Sequence, residues 1–198
     1  MIKSKKLSKF KNIEHAFFNR LDCEYKGIYK GLDYGPDSSN KKKIISKSIK
    51  IIQKKIKPKS KKIILLNQIH SNKFYYLNEN IKLFDRKFKG DALITNKKKI
   101  PIGVLTADCA PVLISDHKRK MIAAIHSGWK GAYKGIIQKV IKFMIKKGCT
   151  SKDITAVIGP CISFKSYEIK QDFIKKFIKK DKNNIVFSKK LGIKIFLT

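Results

Sequence analysis

Acidic residues are scarce in this chain. Its 198 residues include 14 Asp and Glu against 47 Lys and Arg, a formal net charge of +33. Arginine is scarcer still: Arg20, Arg86 and Arg119 stand against 44 lysines. Arginine is the side chain that reads guanine edges and clamps phosphate in a fork. So few arginines, with lysines spread along the whole chain, do not make a pattern for specific nucleic-acid readout. Diffuse positive charge speaks to solubility and non-specific attraction. Isoleucine is also over-used, with 32 residues. Lys and Ile share A/T-rich codons, so a coding bias accounts for both excesses.

Long apolar runs are lacking too. None approaches the ~18 residues of a membrane span, and Ile63-Ile64-Leu65-Leu66 is among the longest clean ones. The basic start, Met1 to Asn12, leads into no apolar core of a secretory signal. The four cysteines, Cys23, Cys109, Cys149 and Cys161, include no C-x-x-C pair. That argues against a zinc ribbon or a thioredoxin-type dithiol. A chain of this length folds without disulfides, so a reduced cytoplasmic setting is expected. With 42% hydrophobic and 31% charged residues, the chain reads as one globular domain over residues 1–198, with no membrane segment.

What is present reads as mixed strands and helices. Ile45, Ile49, Ile52 and Ile56 step by four, three and four, which predicts one face of a helix from Asn40 to about Ile56. Ser38, Ser39 and Asn40 are candidate caps, and Pro58 is the stop. Strands are expected over 62–70, 91–95 and 154–158, and further apolar runs stand over 101–107, 111–116 and 121–125. A helix is expected from about Ala132 to Lys147, with Tyr133, Ile136, Ile137, Val140, Ile141 and Met144 on its apolar face and Gly148 ending it. Phe173, Ile174, Phe177 and Ile178 suit a last helix. Strands and helices mix without strict alternation, so the expected class is α/β (α+β), with mixed β-sheets flanked by helices.

Three reactive side chains stand where apolar runs stop: His70, Cys109 and His126. Rigid strand ends next to open loops are common places for functional groups. Two imidazoles and a thiolate suit zinc, with a fourth position left for water. Such an ion lowers the pKa of its water to about 7. The same residues also fit a Cys109 thiolate nucleophile with His126 or His70 as its base. The residues alone do not separate the two readings. Asp108 is a candidate to orient an imidazole or touch a ligand, and equally a loop cap. The Gly128–Gly131 segment resembles a turn into a helix whose N–H groups favour an anion, with Lys130 adding charge. Gly159-Pro160-Cys161 is a second close turn. His15 and His117 read as structural or solvated, and Cys23 and Cys149 as bystanders.

Several segments resemble, in order, those of one family: Asn67-Gln68-Ile69-His70, Gly90 to Thr95, Leu105 to Leu113, Ala124 to Gly131, and Ile158 to Ile162 with Tyr167-Glu168 after it. The set is similar to the laccase-domain family, also called the multicopper polyphenol oxidase, peptidoglycan editing factor or purine nucleoside phosphorylase family. His15 to Arg20 and Gly31 to Gly35 resemble its N-terminal signature, so the likeness spans about residues 13–170.

The resemblance implies a single mixed α/β domain and a zinc site of His70, Cys109 and His126, with copper as the other metal. These three would be the catalytic residues, and Arg20, Asp108 and Lys130 would bind substrate. The implied activity is phosphorolysis of adenosine, inosine, guanosine or methylthioadenosine, with adenosine deaminase activity beside it. The implied partners are purine nucleosides and phosphate.

Other readings compete. A Cys or zinc hydrolase editing peptidoglycan precursors is one, and a copper-dependent polyphenol oxidase is another. A non-enzymatic basic binding protein is the last. A multicopper oxidase needs many more histidines than the four here, and the H-x-E and P-C-x-x-C elements of zinc deaminases are missing. The family usually has Arg where this chain has Lys130, which weakens a bidentate phosphate contact. Residues 187–198 do not align with the family's Cys-Thr and Ser-Tyr-Arg-Arg-like tail, so a C-terminally shortened member is expected.

Overall fold

The structure is a computed structural model that describes residues 1–19, 22, 42–56, 63–78, 88–183, 188–191 and 194–197. Arg20, Cys23, the candidate caps Ser38, Ser39 and Asn40, and Pro58 lie outside these residues, as do Gly31 to Gly35 and Arg86. The fold class is the expected one, mixed α+β with a five-stranded mixed sheet flanked by helices. The chain divides into two compact units, Met1–Thr106 with Ala110–Pro160, and Ala107–Cys109 with Cys161–Thr198.

The larger unit begins with a short helix α1 (Lys5–Ser8) and helix α2 (Lys42–Ile56). Its sheet contains β1 (Phe74–Leu77), β2 (Ala92–Thr95), β3 (Ala110–Asp116), β4 (Met121–Ser127) and β5 (Ile154–Ile158), in the order β1-β2-β4-β3-β5. β1 runs parallel to β2, and every other pairing is antiparallel. β3 and β4 are a hairpin closed by residues 117–120. Asp116 sets that turn: its Oδ1 accepts the N–H groups of Lys118 and Arg119, both at 2.9 Å, as short acidic side chains do in turns.

Two helices follow β4: α3 (Trp129–Tyr133) and α4 (Ile136–Lys146). One continuous helix from Ala132 was expected. Gly135 breaks it by adopting φ 73°, a left-handed conformation that glycine takes without a Cβ clash. Gly148 ends α4 as anticipated, with φ 91°. The predicted face of α4 packs on the sheet: Ile136, Val140 and Met144 are fully buried against Ala92, Ile94, Val112, Ile114, Ala123 and Ile125.

The opposite side of the sheet carries two smaller clusters. Residues 63–66 are extended and buried as expected, but they form single bridges and no strand. Ile63 and Leu65 face Ile49 and Ile52 of α2, while Ile64 and Leu66 face Leu77, Leu93 and Ile100. This is period-two alternation between two apolar surfaces. Ile64 donates to Pro101 O at 2.9 Å and accepts from Gly103 N at 3.0 Å, which makes one parallel bridge with Ile102.

The smaller unit holds β6 (Glu168–Ile169), α5 (Gln171–Lys180), β7 (Ser188–Leu191) and β8 (Lys194–Leu197). Its antiparallel sheet has the order β6-β8-β7. Phe173 and Phe177, one turn apart on the predicted α5, stack at 4.7 Å. Among the described residues no helix is long and apolar enough to cross a membrane.

Candidate metal centre

The β3–β4 register fixes where two of the three reactive side chains emerge. Ala110 pairs with Ser127 and Pro111 with His126. Cys109 precedes Ala110, so it leaves the hairpin at the end where His126 stands. His70 comes from the turn that leads into β1. Gln68 pins that turn with two bonds to one backbone unit: its Nε2 donates to Leu105 O, and its Oε1 accepts from Leu105 N, both at 2.7 Å.

His70 itself has φ 55°. A side chain with a Cβ enters this region at a cost of about 1–2 kcal/mol, so something must hold it there. The holder is Asp91, fully buried at the start of β2. Its Oδ1 accepts His70 N at 3.0 Å, and its Oδ2 accepts Ser71 N at 2.6 Å and Ser71 Oγ at 2.7 Å. The same Oδ1 lies 2.8 Å from His126 Nδ1. The Asp91 main chain joins in, its carbonyl accepting His126 N at 2.7 Å. Burial alone would push the Asp91 carboxyl up. The hydrogen bonds from His126 and Ser71 outweigh it and hold the group at about 2.

His70, Cys109 and His126 form the metal-capable group among the described residues, with their ligand atoms within 4.8 Å of one another. The imidazole rings of His70 and His126 meet edge to face, centroids 4.8 Å apart. His126 is buried, Cys109 is half-buried and His70 is exposed. The donor set fits zinc. Two imidazole nitrogens and one thiolate sulfur are a usual ligand set for that ion, and they would hold it while leaving a position for water. Asp91 occupies His126 Nδ1, which leaves Nε2 as the metal-binding atom of that ring. His15 and His117 lie elsewhere: His15 Nε2 accepts Ser4 N at 2.8 Å, and His117 stacks on Phe10 at 4.5 Å.

Asp108 is exposed, and its carbonyl accepts Ile162 N at 3.0 Å. Lys130 is exposed on α3 with Nζ 5.6 Å from the Trp129 ring centroid. Helix α3 starts at Trp129 and has five residues, so its summed dipole is much smaller than that of the long helix expected at this end. Two residues were not singled out from the sequence. One is Asp91, whose signal was a lone acid at the head of an apolar strand. The other is Tyr167 of the smaller unit. Burial, followed by the charges of Cys109 and Asp108, pushes its phenol up, so it keeps its proton at neutral pH.

A mixed α+β fold in which two imidazoles and a thiol could hold a metal ion fits the laccase-like class. The chain belongs to the family described as multi-copper polyphenol oxidoreductase laccase, whose family model matches residues 14–195. That reaches beyond residue 170, where the recognisable motifs end.

Proteins named purine nucleoside phosphorylase are among its relatives. One from Rickettsia prowazekii is 40% identical over 126 residues, 64% of this chain and 50% of that protein. One from Bacteroides thetaiotaomicron is 28% identical over 186 residues, 90% of this chain and 69% of that protein. The chain spans about half the length of the Rickettsia relatives it matches. Among solved structures, Neisseria meningitidis protein NMB0706, of family DUF152, superposes with a TM-score of 0.74 at 26% identity, covering 87% of this chain and 68% of that one. Bacillus licheniformis YfiH gives a TM-score of 0.75 at 21% identity, covering 85% and 66%, and so supports the fold.

Proposed function

We propose that the chain acts as a single zinc-dependent purine nucleoside phosphorylase domain. The reading takes adenosine, inosine, guanosine or methylthioadenosine with phosphate to the free base and the corresponding ribose 1-phosphate. The observation that carries it is the His70–Cys109–His126 group, in a chain whose relatives bear that activity's name. Adenosine deamination at the same centre is the accompanying activity. Zinc is the proposed metal, because two imidazoles and one thiolate are an ordinary zinc set, and the remaining two histidines of the chain are engaged elsewhere. The proposed setting is the cytoplasm, where reducing conditions keep an exposed thiol such as Cys161 intact.

In phosphorolysis a phosphate oxygen bonds to C1′ of the sugar and the bond from C1′ to the purine nitrogen breaks. The electron pair goes to the purine, which takes up a proton. Positive charge develops on the sugar, and the leaving base needs an acid. A bound zinc ion would supply Lewis acidity. Lys130, exposed on α3, is proposed to attract the phosphate, with Arg20 as its second cation. Asp108 is proposed to contact the nucleoside. Tyr167, which burial and the neighbouring Cys109 and Asp108 keep protonated, is proposed to donate a hydrogen bond to the nucleoside.

The test is an assay of zinc-loaded protein with adenosine, with and without phosphate, resolving adenine, ribose 1-phosphate and inosine. Phosphate-dependent adenine is expected, and it should vanish in His70→Ala, Cys109→Ala and His126→Ala. Retained turnover in all three variants would sink the reading. Turnover of a muropeptide amide without phosphate would instead favour the peptidoglycan-editing hydrolase.

A further inference from the structure

We infer that Asp91 is the positioning residue that builds the metal centre, setting both histidine ligands with one carboxylate. The inference rests on the metal reading above and adds a residue to it. Asp91 reaches the two ligands by different routes. It takes the ring N–H of His126 at 2.8 Å and the backbone N–H of His70 at 3.0 Å on the same oxygen. The ring contact selects the tautomer with hydrogen on Nδ1 and turns the lone pair of Nε2 outward. The backbone contact holds His70 at its φ of 55°, which sets where that imidazole leaves the chain.

The second oxygen finishes the arrangement. It takes the Ser71 N–H and the Ser71 hydroxyl at 2.6 and 2.7 Å, so both ends of the carboxyl face donors only. An asparagine cannot reproduce this. Its amide has one accepting end, and its NH2 end must face either Ser71 or the His70–His126 pair. Charge argues the same way. Two neutral imidazoles, one thiolate and one buried carboxylate balance a divalent cation, whereas an amide leaves the centre one charge positive. Burial makes that balance matter, because Asp91 has no exposed surface and water cannot stand in for its partners.

The experiment uses the full chain, stripped of metal, and zinc itself as the probe. Zinc affinity is measured by competition with a chromogenic chelator for the wild type, Asp91→Asn and Ser71→Ala. Asp91→Asn is expected to weaken zinc binding by about 10–100-fold, the range usual for a lost outer-sphere partner. Ser71→Ala, which removes one of the four contacts and leaves both histidines held, should weaken it less. Wild-type affinity in a folded Asp91→Asn protein would overturn the proposal.

A second readout needs no metal and no variant. In 15N-edited NMR of the metal-free wild type in alkaline buffer, His126 should be a single tautomer protonated at Nδ1. A His126 protonated at Nε2, or averaging between the two forms, would refute the positioning role even if Asp91→Asn fails to fold. If the wild type binds no zinc while His126 shows the expected tautomer, the metal reading fails and the positioning of the ring stands.

Discussion

A methyl group on Gly131 would sit 2.9 Å from the backbone carbonyl oxygen of Ser71. The first turn of α3 is therefore seated directly on the turn that carries His70, with no side chain between them. Gly131→Ala forces one of the two backbones to move, because neither contact atom is the end of a flexible side chain. The expected loss is about 1–3 kcal/mol, as for overpacking elsewhere. Urea denaturation reads it, and an unchanged midpoint would show that α3 is not held there.

The core under α4 gives a contrast within one helix. Ile136 and Met144 are wholly buried, while Ile145, one residue on from Met144, is 44% exposed. Met144→Ala and Ile136→Ala should each cost about 2–5 kcal/mol. Ile145→Ala should stay within about 0.5–1 kcal/mol. Equal losses at Met144 and Ile145 in thermal denaturation would contradict the placement of the α4 face.

Acid should weaken the N-terminal packing through His15. Burial, then the positive charge of Lys3, holds its imidazole below the ordinary 6.5. The native chain thus keeps His15 neutral, while the unfolded chain takes the proton more readily. Stability from this group is intact above pH 6.5 and is lost as pH falls through and below that value. The wild type should lose more stability between neutral pH and mildly acid pH than His15→Gln does. Parallel pH profiles would remove His15 as the cause.

Much of this architecture was legible in the chain. The apolar runs at 91–95, 111–116, 121–125 and 154–158 lie in strands, whereas those at 62–70 and 101–107 form isolated bridges and no strand. The α2 and α4 faces were visible as 3.6-residue periodicity. β1 was not, because Phe74-Tyr75-Tyr76-Leu77 lies among polar residues and gains its place by pairing with β2 and by packing its side chains on both apolar clusters. β7 is Ser-Lys-Lys-Leu and β8 is Lys-Ile-Phe-Leu, neither with period-two alternation, so nothing local marks them. The site was half legible. His70, Cys109 and His126 stood at strand ends, but their convergence depends on the hairpin register, and the family resemblance supplied it before the register could. Asp91 looked like an ordinary strand-opening acid. Its meaning lies in four donors from residues 20 to 35 positions away.

The cysteines should separate by reactivity. Burial, followed by the neighbouring Asp116, pushes the Cys149 thiol up to about 11, and its Sγ lies 3.9 Å from Met121 Sδ. Cys161 is exposed. Iodoacetamide at neutral pH should modify Cys161 first and reach Cys149 only on unfolding, since thiolate fraction and access set the rate. Zinc should slow labelling of Cys109 alone. Peptide mass mapping shows the order, and early labelling of native Cys149 would contradict its burial.

The central claim is that His70, Cys109 and His126 share one metal ion. X-ray absorption at the zinc edge of the zinc-loaded chain tests it most directly. The account predicts one sulfur neighbour at about 2.3 Å with two imidazole nitrogens at about 2.0–2.1 Å, and loss of the sulfur shell in Cys109→Ser. A shell of nitrogen and oxygen only, or a sulfur signal that survives Cys109→Ser, would contradict it.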